Sequence, residues 1–398
     1  MKHYRLYPAI LIWIYSFLSV TVCFSVFPLW ADARQQVRGF WVECEGSNDT
    51  LSSPQKLDEL IRICKTTAAN TIFLQVQRHN RSWYNSRLAD TAPWDGIWKK
   101  YKIDPLKYTI AGAHERGIKV HAWLNMFRIG KDPRAPIIRK LGRDVITRDG
   151  RGVSLLKSPA GKLPDGGYWL DPGDLGVQEY LLGIVEEILN KYPTIDGIHL
   201  DFVRLPYRDL NPGSRFCNRK DFGYGKRSVE RFQAQYGYSP LKMDLSDRNK
   251  TQRWDNWRRE QITSFIEKVY KLCKKKNPRV QVSCAAQSVS DRAYLVAYQD
   301  WRTWLKEQIV DFVVVMNYSI DRKLVRYISD AAIKLQTEAG VYIGLGAYLM
   351  LTTPNVLYQQ IMDCQKLNVP GIILFSYDAI LKNKDILKSI ARNHWWSK

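Results

Sequence analysis

Residues 195–206 bring an imidazole, a carboxylate and a guanidinium together at His199, Asp201 and Arg204. A strand-end carboxylate with such neighbours can act as nucleophile, base or proton donor. The bland alternative is a buried Asp201–Arg204 ion pair with a purely structural role. The run is apolar and β-branched, follows Gly197 and stops at Pro206, which reads as a buried strand. Alternation puts His199 and Asp201 on one side and Ile198, Leu200 and Phe202 on the other. The same pattern recurs elsewhere: Trp41, Glu43 and Glu45 share one face of 37–45, Gln75, Gln77 and His79 one face of 71–79, and His121, Trp123 and Asn125 one face of 119–127. Later segments add Gln287, Asn317, Tyr318, Asp321, Tyr348, Tyr377 and Asp378. So many inward polar groups would each need a partner in a packed core, so they predict a wet pocket. Against this, Gln75, Gln77 and Asn125 could form a structural hydrogen-bond network, and Asp321 and Asp378 could cap helices.

The elements that must position these residues repeat as apolar strand, polar strand end and helical stretch. Eight strands are predicted: 37–45, 71–79, 119–127, 197–204, 280–287, 312–318, 341–348 and 371–377. Amphipathic helices between them have start and stop signals such as Ser53-Pro54, Pro105 and Gly117. Strands alternating with helices, without hairpin turns, predict an α/β fold of the (β/α)8 TIM-barrel type. An open doubly wound sheet is the alternative, but no Gly-rich phosphate loop follows the first strand and no cofactor is expected. Long insertions at 80–101, 128–174 and 206–253 fall on the catalytic side of such a barrel. Their aromatic residues, Trp83, Trp94, Trp98, Tyr101, Tyr168, Trp169, Tyr207 and Tyr224, are expected to line a sugar-binding groove, with core packing as the alternative for each.

The 398 residues carry a formal charge of +21, which favours anionic partners such as a cell-wall polymer or a lipid surface. Zinc-finger spacing and aromatic-basic RNA-binding signatures are missing, so nucleic acid is not expected as a partner. Lys2 and Arg5 precede an apolar run from Pro8 to Trp30, followed by Ala31-Asp32-Ala33. Residues 1–33 therefore read as a signal peptide, or as an N-terminal membrane anchor, and 34–398 as the barrel. Either reading predicts an exported protein, periplasmic or extracellular. The seven cysteines form no CxxC pair, and buried free thiols are the default.

Several blocks resemble the glycosyl-hydrolase-like family 10, secreted bacterial barrels distantly related to other glycosidases. They are Arg38-Gly39-Phe40-Trp41-Val42, the 70–76 strand, His114 to Asn125 with His121-Ala122-Trp123-Leu124-Asn125, Trp169-Leu170-Asp171-Pro172-Gly173, Asp196 to Asp201, and Phe375-Ser376-Tyr377. The resemblance implies a glycoside hydrolase, with some relatives thought to act on peptidoglycan glycan strands. Many relatives have Asp or Tyr where Phe202 stands here, so two adjacent carboxylates are not available.

Glycoside hydrolysis needs one protonated and one ionised carboxyl group. Asp201 is expected to be ionised, held by His199 and Arg204. Glu43 is the expected acid, ahead of Glu45, Asp321 and Asp378, because Trp41 and Trp123 would desolvate it. Binding is expected from Trp41, Glu45, Gln75, Gln77, His121, Trp123, Asn125, His199, Arg204, Asn317, Tyr318, Asp321, Tyr348, Tyr377 and Asp378. A glycan-binding barrel without catalysis is the alternative. A metal-dependent hydrolase using His121, His199 and Asp201 is less favoured, because no HxH or HExxH spacing supports it.

Overall fold

A computed structural model describes residues 36–158, 163–208 and 221–392. The leader or anchor predicted over 1–33 lies outside the described residues, as do Cys23 and Cys217. Among the described residues there are nine strands: β1 (Val37–Val42), β2 (Thr71–Arg78), β3 (Arg81–Ser82), β4 (Lys119–Asn125), β5 (Gly197–Asp201), β6 (Gln281–Gln287), β7 (Phe312–Asn317), β8 (Gly340–Gly346) and β9 (Gly371–Phe375). Eight of them run parallel in the order β1-β2-β4-β5-β6-β7-β8-β9 and close through β9 onto β1, forming a (β/α)8 barrel. The two-residue β3 pairs antiparallel with the end of β2.

Each predicted strand is present, but most stop two or three residues early, because the polar residues at their ends leave the ladder for the loops. The predicted helices are also present, now bounded by their caps. Ser53 accepts the Lys56 N–H ahead of Pro54–Thr66, Asp104 the Lys107 N–H ahead of Pro105–His114, and Asp321 two N–H groups ahead of Arg322–Ile333. Such side-chain acceptors satisfy donors that have no partner within the helix.

The period of two splits the apolar residues into two layers. Phe40, Val42, Ile72, Leu74, Leu200, Val313 and Ile372 face outward and pack in the main core. Trp41, Phe73, Trp123, Phe312, Val314 and Ile373 fill the barrel interior. Tyr224 and Phe232 of the third insertion form a satellite core with Trp254 and Trp257 of the helix Arg248–Lys276. Cys44, Cys64, Cys273, Cys284 and Cys364 are buried free thiols.

Candidate active site

The floor of the site is built from rings inside the barrel. Trp41 Nε1–H donates to His199 Nε2 at 3.0 Å, which leaves the proton on Nδ1, 2.9 Å from Ser283 Oγ. Burial holds the His199 imidazolium well below its ordinary range. His121 lies 4.9 Å from the Phe73 ring and 5.8 Å from Phe312, and burial pushes its pKa down to about 4. These histidines pack the floor and do not reach the substrate space. With both nitrogens of His199 engaged, the metal reading built on His121, His199 and Asp201 has no geometry to support it.

Both imidazoles are neutral when folded and gain protons when unfolded, so their contribution is present above the unfolded value near 6.5 and is lost as the pH falls. For His121 the loss is about 3 kcal/mol by pH 4. Urea unfolding between pH 7 and 4 should therefore show a shallower stability loss for His121→Phe than for the parent. Parallel slopes would rule out this origin.

Above the floor lies a pocket of about 580 Å³ at the C-terminal ends of the strands. Three carboxylates line it, Glu43, Asp165 and Asp201, together with three guanidinium groups, Arg78, Arg128 and Arg204. Its walls are Trp41, Trp123, Phe202, Tyr207, Tyr318 and Phe375, with Gln75, Asn125 and Gln287 as neutral polar groups.

Asp201 Oδ2 accepts the Trp123 indole N–H at 3.2 Å, and Oδ1 accepts the Phe202 N–H at 2.6 Å. Enclosure by the protein pushes its carboxyl above the usual carboxylate range, although these bonds and the nearby Arg204 charge oppose the shift. Glu43 Oε1 lies 3.4 Å from Arg78 Nη1, which also donates to Gln75 Oε1, while Gln75 Nε2 donates to Asn125 at 3.1 Å. Glu45 sits just outside the pocket, bound by His79, Arg78 and Arg81, and its carboxyl is lowered first by the His79 hydrogen bond. Asp165 reaches in from the second insertion. Its carboxylate meets Arg204 Nη2 at 3.0 Å and its carbonyl accepts from Arg128 Nε at 2.9 Å.

The pocket thus gathers Asp201, Glu43, Trp41, Gln75, Trp123, Asn125, Arg204 and Tyr318, as the sequence suggested. The other expectations need correction. His199 bonds Trp41 and Ser283, not Asp201, so it does not hold that carboxylate ionised. Gln77 misses the pocket because β2 bulges at Val76. Gln75 registers with Trp123, but Gln77 registers with Leu124, whose side chain faces the outer core. The same bulge turns Arg78 inward. Phe202 has φ 53°, which swings its ring into the pocket wall instead of the outer face. Asn317 follows inward-facing Met316 and so points outward, donating to Val325 O and Ser329 Oγ. Asp321 caps a helix. Tyr377 opens the Tyr377–Lys382 helix and packs 6.2 Å from Phe40, while Asp378 accepts from Ser47 and the Asn48 N–H.

Tyr348 stands at the rim, 43% exposed, edge-on to Tyr318 at 5.9 Å and to Phe375 at 5.8 Å. Of the described insertion aromatics, only Tyr207 lines the pocket. Trp83, Tyr168, Trp169 and Tyr224 are core residues, and Trp94 stacks on Trp98 at 5.3 Å away from it. Arg78, Arg128 and Asp165 were missed. The first depended on an unseen bulge, and the others on how an insertion folds back.

A sequence profile described as Glycosyl hydrolase-like 10 matches residues 36–361. Over 319 residues the chain is 26% identical to glycosyl hydrolase DigH of Escherichia coli strain K12, a match covering 74% of this chain and 64% of that protein. Glycosyl hydrolase YngK of Bacillus subtilis strain 168 is 22% identical over 323 residues, covering 72% and 55%. The chain therefore spans less than two thirds of the length of these curated relatives. The glycoside hydrolase domain of PgaB (BpsB) from Bordetella bronchiseptica superposes with a TM-score of 0.65 at 14% identity, covering 89% of this chain and 97% of that one. The catalytic domain of β-amylase from Paenibacillus polymyxa does so at 0.56 and 12%, covering 87% and 94%. At such identities these likenesses speak for the fold alone.

Proposed function

The chain belongs to the glycosyl hydrolase-like 10 family, and on that premise we propose that it is a glycoside hydrolase cleaving O-glycosidic bonds of a polysaccharide, with peptidoglycan glycan strands as the first candidate. The observation that carries this reading is the placement of Asp201 and Glu43 at strand ends on one aromatic-walled pocket. Glycosidic cleavage needs two carboxyl groups facing one substrate, and aromatic walls suit sugar rings. Both curated relatives carry the name glycosyl hydrolase.

The roles follow from the surroundings of each carboxyl group. Burial favours the protonated form of Asp201, which suits it to donate to the leaving oxygen. Glu43, held beside the Arg78 guanidinium, takes the other role, as nucleophile or as base for water. This is the reverse of the roles expected from sequence. The protein works outside the cytoplasm in this reading, exported or held at the membrane by residues 8–30.

The pH profile tests the roles. The Trp123 N–H favours the carboxylate form of Asp201, so Trp123→Phe should raise its pKa further. A proton donor then stays loaded to higher pH, and the alkaline limb of kcat/KM should move up. Movement of the acid limb instead would make Asp201 the ionised group. The activity itself is tested by incubating the full chain with peptidoglycan sacculi, chitin and a panel of polysaccharides and measuring new reducing ends. Release from at least one is expected. Binding without release from any would favour a non-catalytic glycan-binding barrel.

A further inference from the structure

One side chain that joins two sides of the pocket does not itself line it. His79 follows β2 in the left-handed region, φ 57°, and Asn80 continues it at φ 59°. Histidine and asparagine are among the residues that adopt this conformation most readily. The His79 ring lies between two groups of charged residues. Its Nδ1 is 3.4 Å from Glu45 Oε2, and its Nε2 is 2.9 Å from Arg128 Nη1. A guanidinium has donors and no acceptor, so Nε2 accepts from Arg128 and the ring proton sits on Nδ1, facing Glu45.

On the first side, Glu45 also meets Arg78 at 3.2 Å and Arg81 at 3.1 Å, and Arg78 reaches Glu43 at 3.4 Å. On the second side, Arg128 opens the insertion after β4. Its Nε and Nη2 donate to the Asp165 carbonyl at 2.9 and 2.6 Å, and its guanidinium stands 5.2 Å from the centre of the Phe202 ring. Of the five N–H donors of a guanidinium, three are taken by His79 and the Asp165 carbonyl. The remaining two are available to a ligand in the pocket that Arg128 lines.

The insertion is fitted to the His79 ring. Gly130 has φ 71°, and a Cβ there would meet His79 Cγ at 2.7 Å, so the backbone passes directly against the imidazole. Ile129 N–H donates to Tyr168 O, and Tyr168 N–H to Gly130 O, which laces the outgoing chain to the returning one beside Asp165. Farther out, Asn80 Oδ1 accepts the Ile137 N–H at 2.9 Å and holds the insertion independently. Loss of the His79 bonds would therefore loosen the Arg128 guanidinium without releasing the insertion.

We propose, resting on the glycosidase reading, that His79 is a positioning residue for substrate binding: it fixes the Arg128 guanidinium so that two N–H donors are presented to the oxygens of a sugar unit in the pocket. Arg128 is the group that touches substrate, and His79 acts through it. An arginine fork held in place before the substrate arrives loses little freedom on binding.

The test compares full-chain His79→Phe, His79→Gln, Arg128→Gln and the double variant His79→Phe/Arg128→Gln in glycan hydrolysis, with Tm followed for each. His79→Phe keeps a ring and removes both hydrogen bonds, so KM should rise about ten-fold, the effect of one charge-assisted contact, with kcat within about three-fold. His79→Gln supplies an acceptor for Arg128 and a donor for Glu45, and should restore most of the loss. Arg128→Gln should raise KM at least as much as His79→Phe, and adding His79→Phe to it should weaken binding no further, since the two act as one unit. A purely structural His79 would lower Tm with KM unmoved, or add its loss to that of Arg128→Gln, and either result overturns the proposal. Should His79→Phe fail to fold, the ring nitrogens of the parent decide, read by NMR with nitrogen-15-labelled histidine and assigned by the missing signals in His79→Gln. The Nδ1–H tautomer supports the Arg128 bond, and an Nε2–H ring overturns it. A parent that cleaves no glycan would defeat the hydrolase reading. The same variants are then ranked by Kd in glycan co-sedimentation, where equal Kd for the parent and His79→Phe would overturn the role of His79.

Discussion

Asp201→Asn is expected to lower glycan hydrolysis by 10²- to 10⁴-fold, the range for an essential proton-transferring group. Asparagine fills the same volume and its oxygen can still accept one of the two N–H groups that Asp201 accepts, from Trp123 and Phe202. It can neither donate a carboxylic proton nor ionise. The fold should not suffer. A carboxyl whose folded pKa is raised contributes stability below its unfolded pKa, and that contribution is lost as the pH rises through the folded value. Near neutral pH the substitution removes that burden, so the Tm should stay level or rise while turnover falls. Glu43→Gln should show a loss of similar order in the same assay. Asp201→Asn with activity within three-fold of the parent would remove Asp201 from the chemistry.

The largest stability effect is expected at Arg258, on the helix Arg248–Lys276. Its guanidinium is 2% exposed and lies 3.0 Å from Asp221, which is fully buried. It also caps the Phe222 carbonyl and stacks 4.2 Å from the Tyr298 ring. Arg258→Met would leave Asp221 with the Tyr298 hydroxyl at 2.8 Å and with Arg208 at 3.9 Å. Removing one partner of a buried pair costs about 3–5 kcal/mol, because the other charge stays behind. For a barrel of this size that lowers Tm by roughly 4–7 °C. Adding Asp221→Asn should recover part of the loss, the coupling expected of a true pair. A single-variant loss under about 1 kcal/mol would show that the pair contributes little. Asp221 O also accepts the Gly150 N–H, so the loosened variant should raise KM through the second insertion.

The barrel was legible because each strand announces itself twice, by an apolar run and by the glycine, proline or cap that bounds it. Gly197 and Gly371 open strands as read, and Ser53, Asp104 and Asp321 mark helix starts. What alternation could not carry was a change of phase. One extra residue at Val76 exchanges Gln77 for Arg78 in the pocket, and a positive φ at Phe202 turns that ring from core to wall. Asp165 reaches Arg204 from 39 positions away, through an insertion whose path no local pattern encodes. Tyr318 was found and Asn317 misplaced for one reason, since strict alternation past Met316 places the first inside and the second outside. The family resemblance located the blocks and left these choices of face open.

The Trp41–His199–Ser283 contact links β1, β5 and β6, strands on opposite sides of the barrel. It works as a tie rod beneath the pocket, so the base is rigid and cannot be reshaped without disturbing three strands at once. Diversification of specificity is thereby channelled into the 128–174 and 206–253 insertions, which can change length and charge while the strand ends bearing Glu43 and Asp201 keep their spacing. Redesign for a new polymer should graft these two insertions as a unit and leave the tie rod alone.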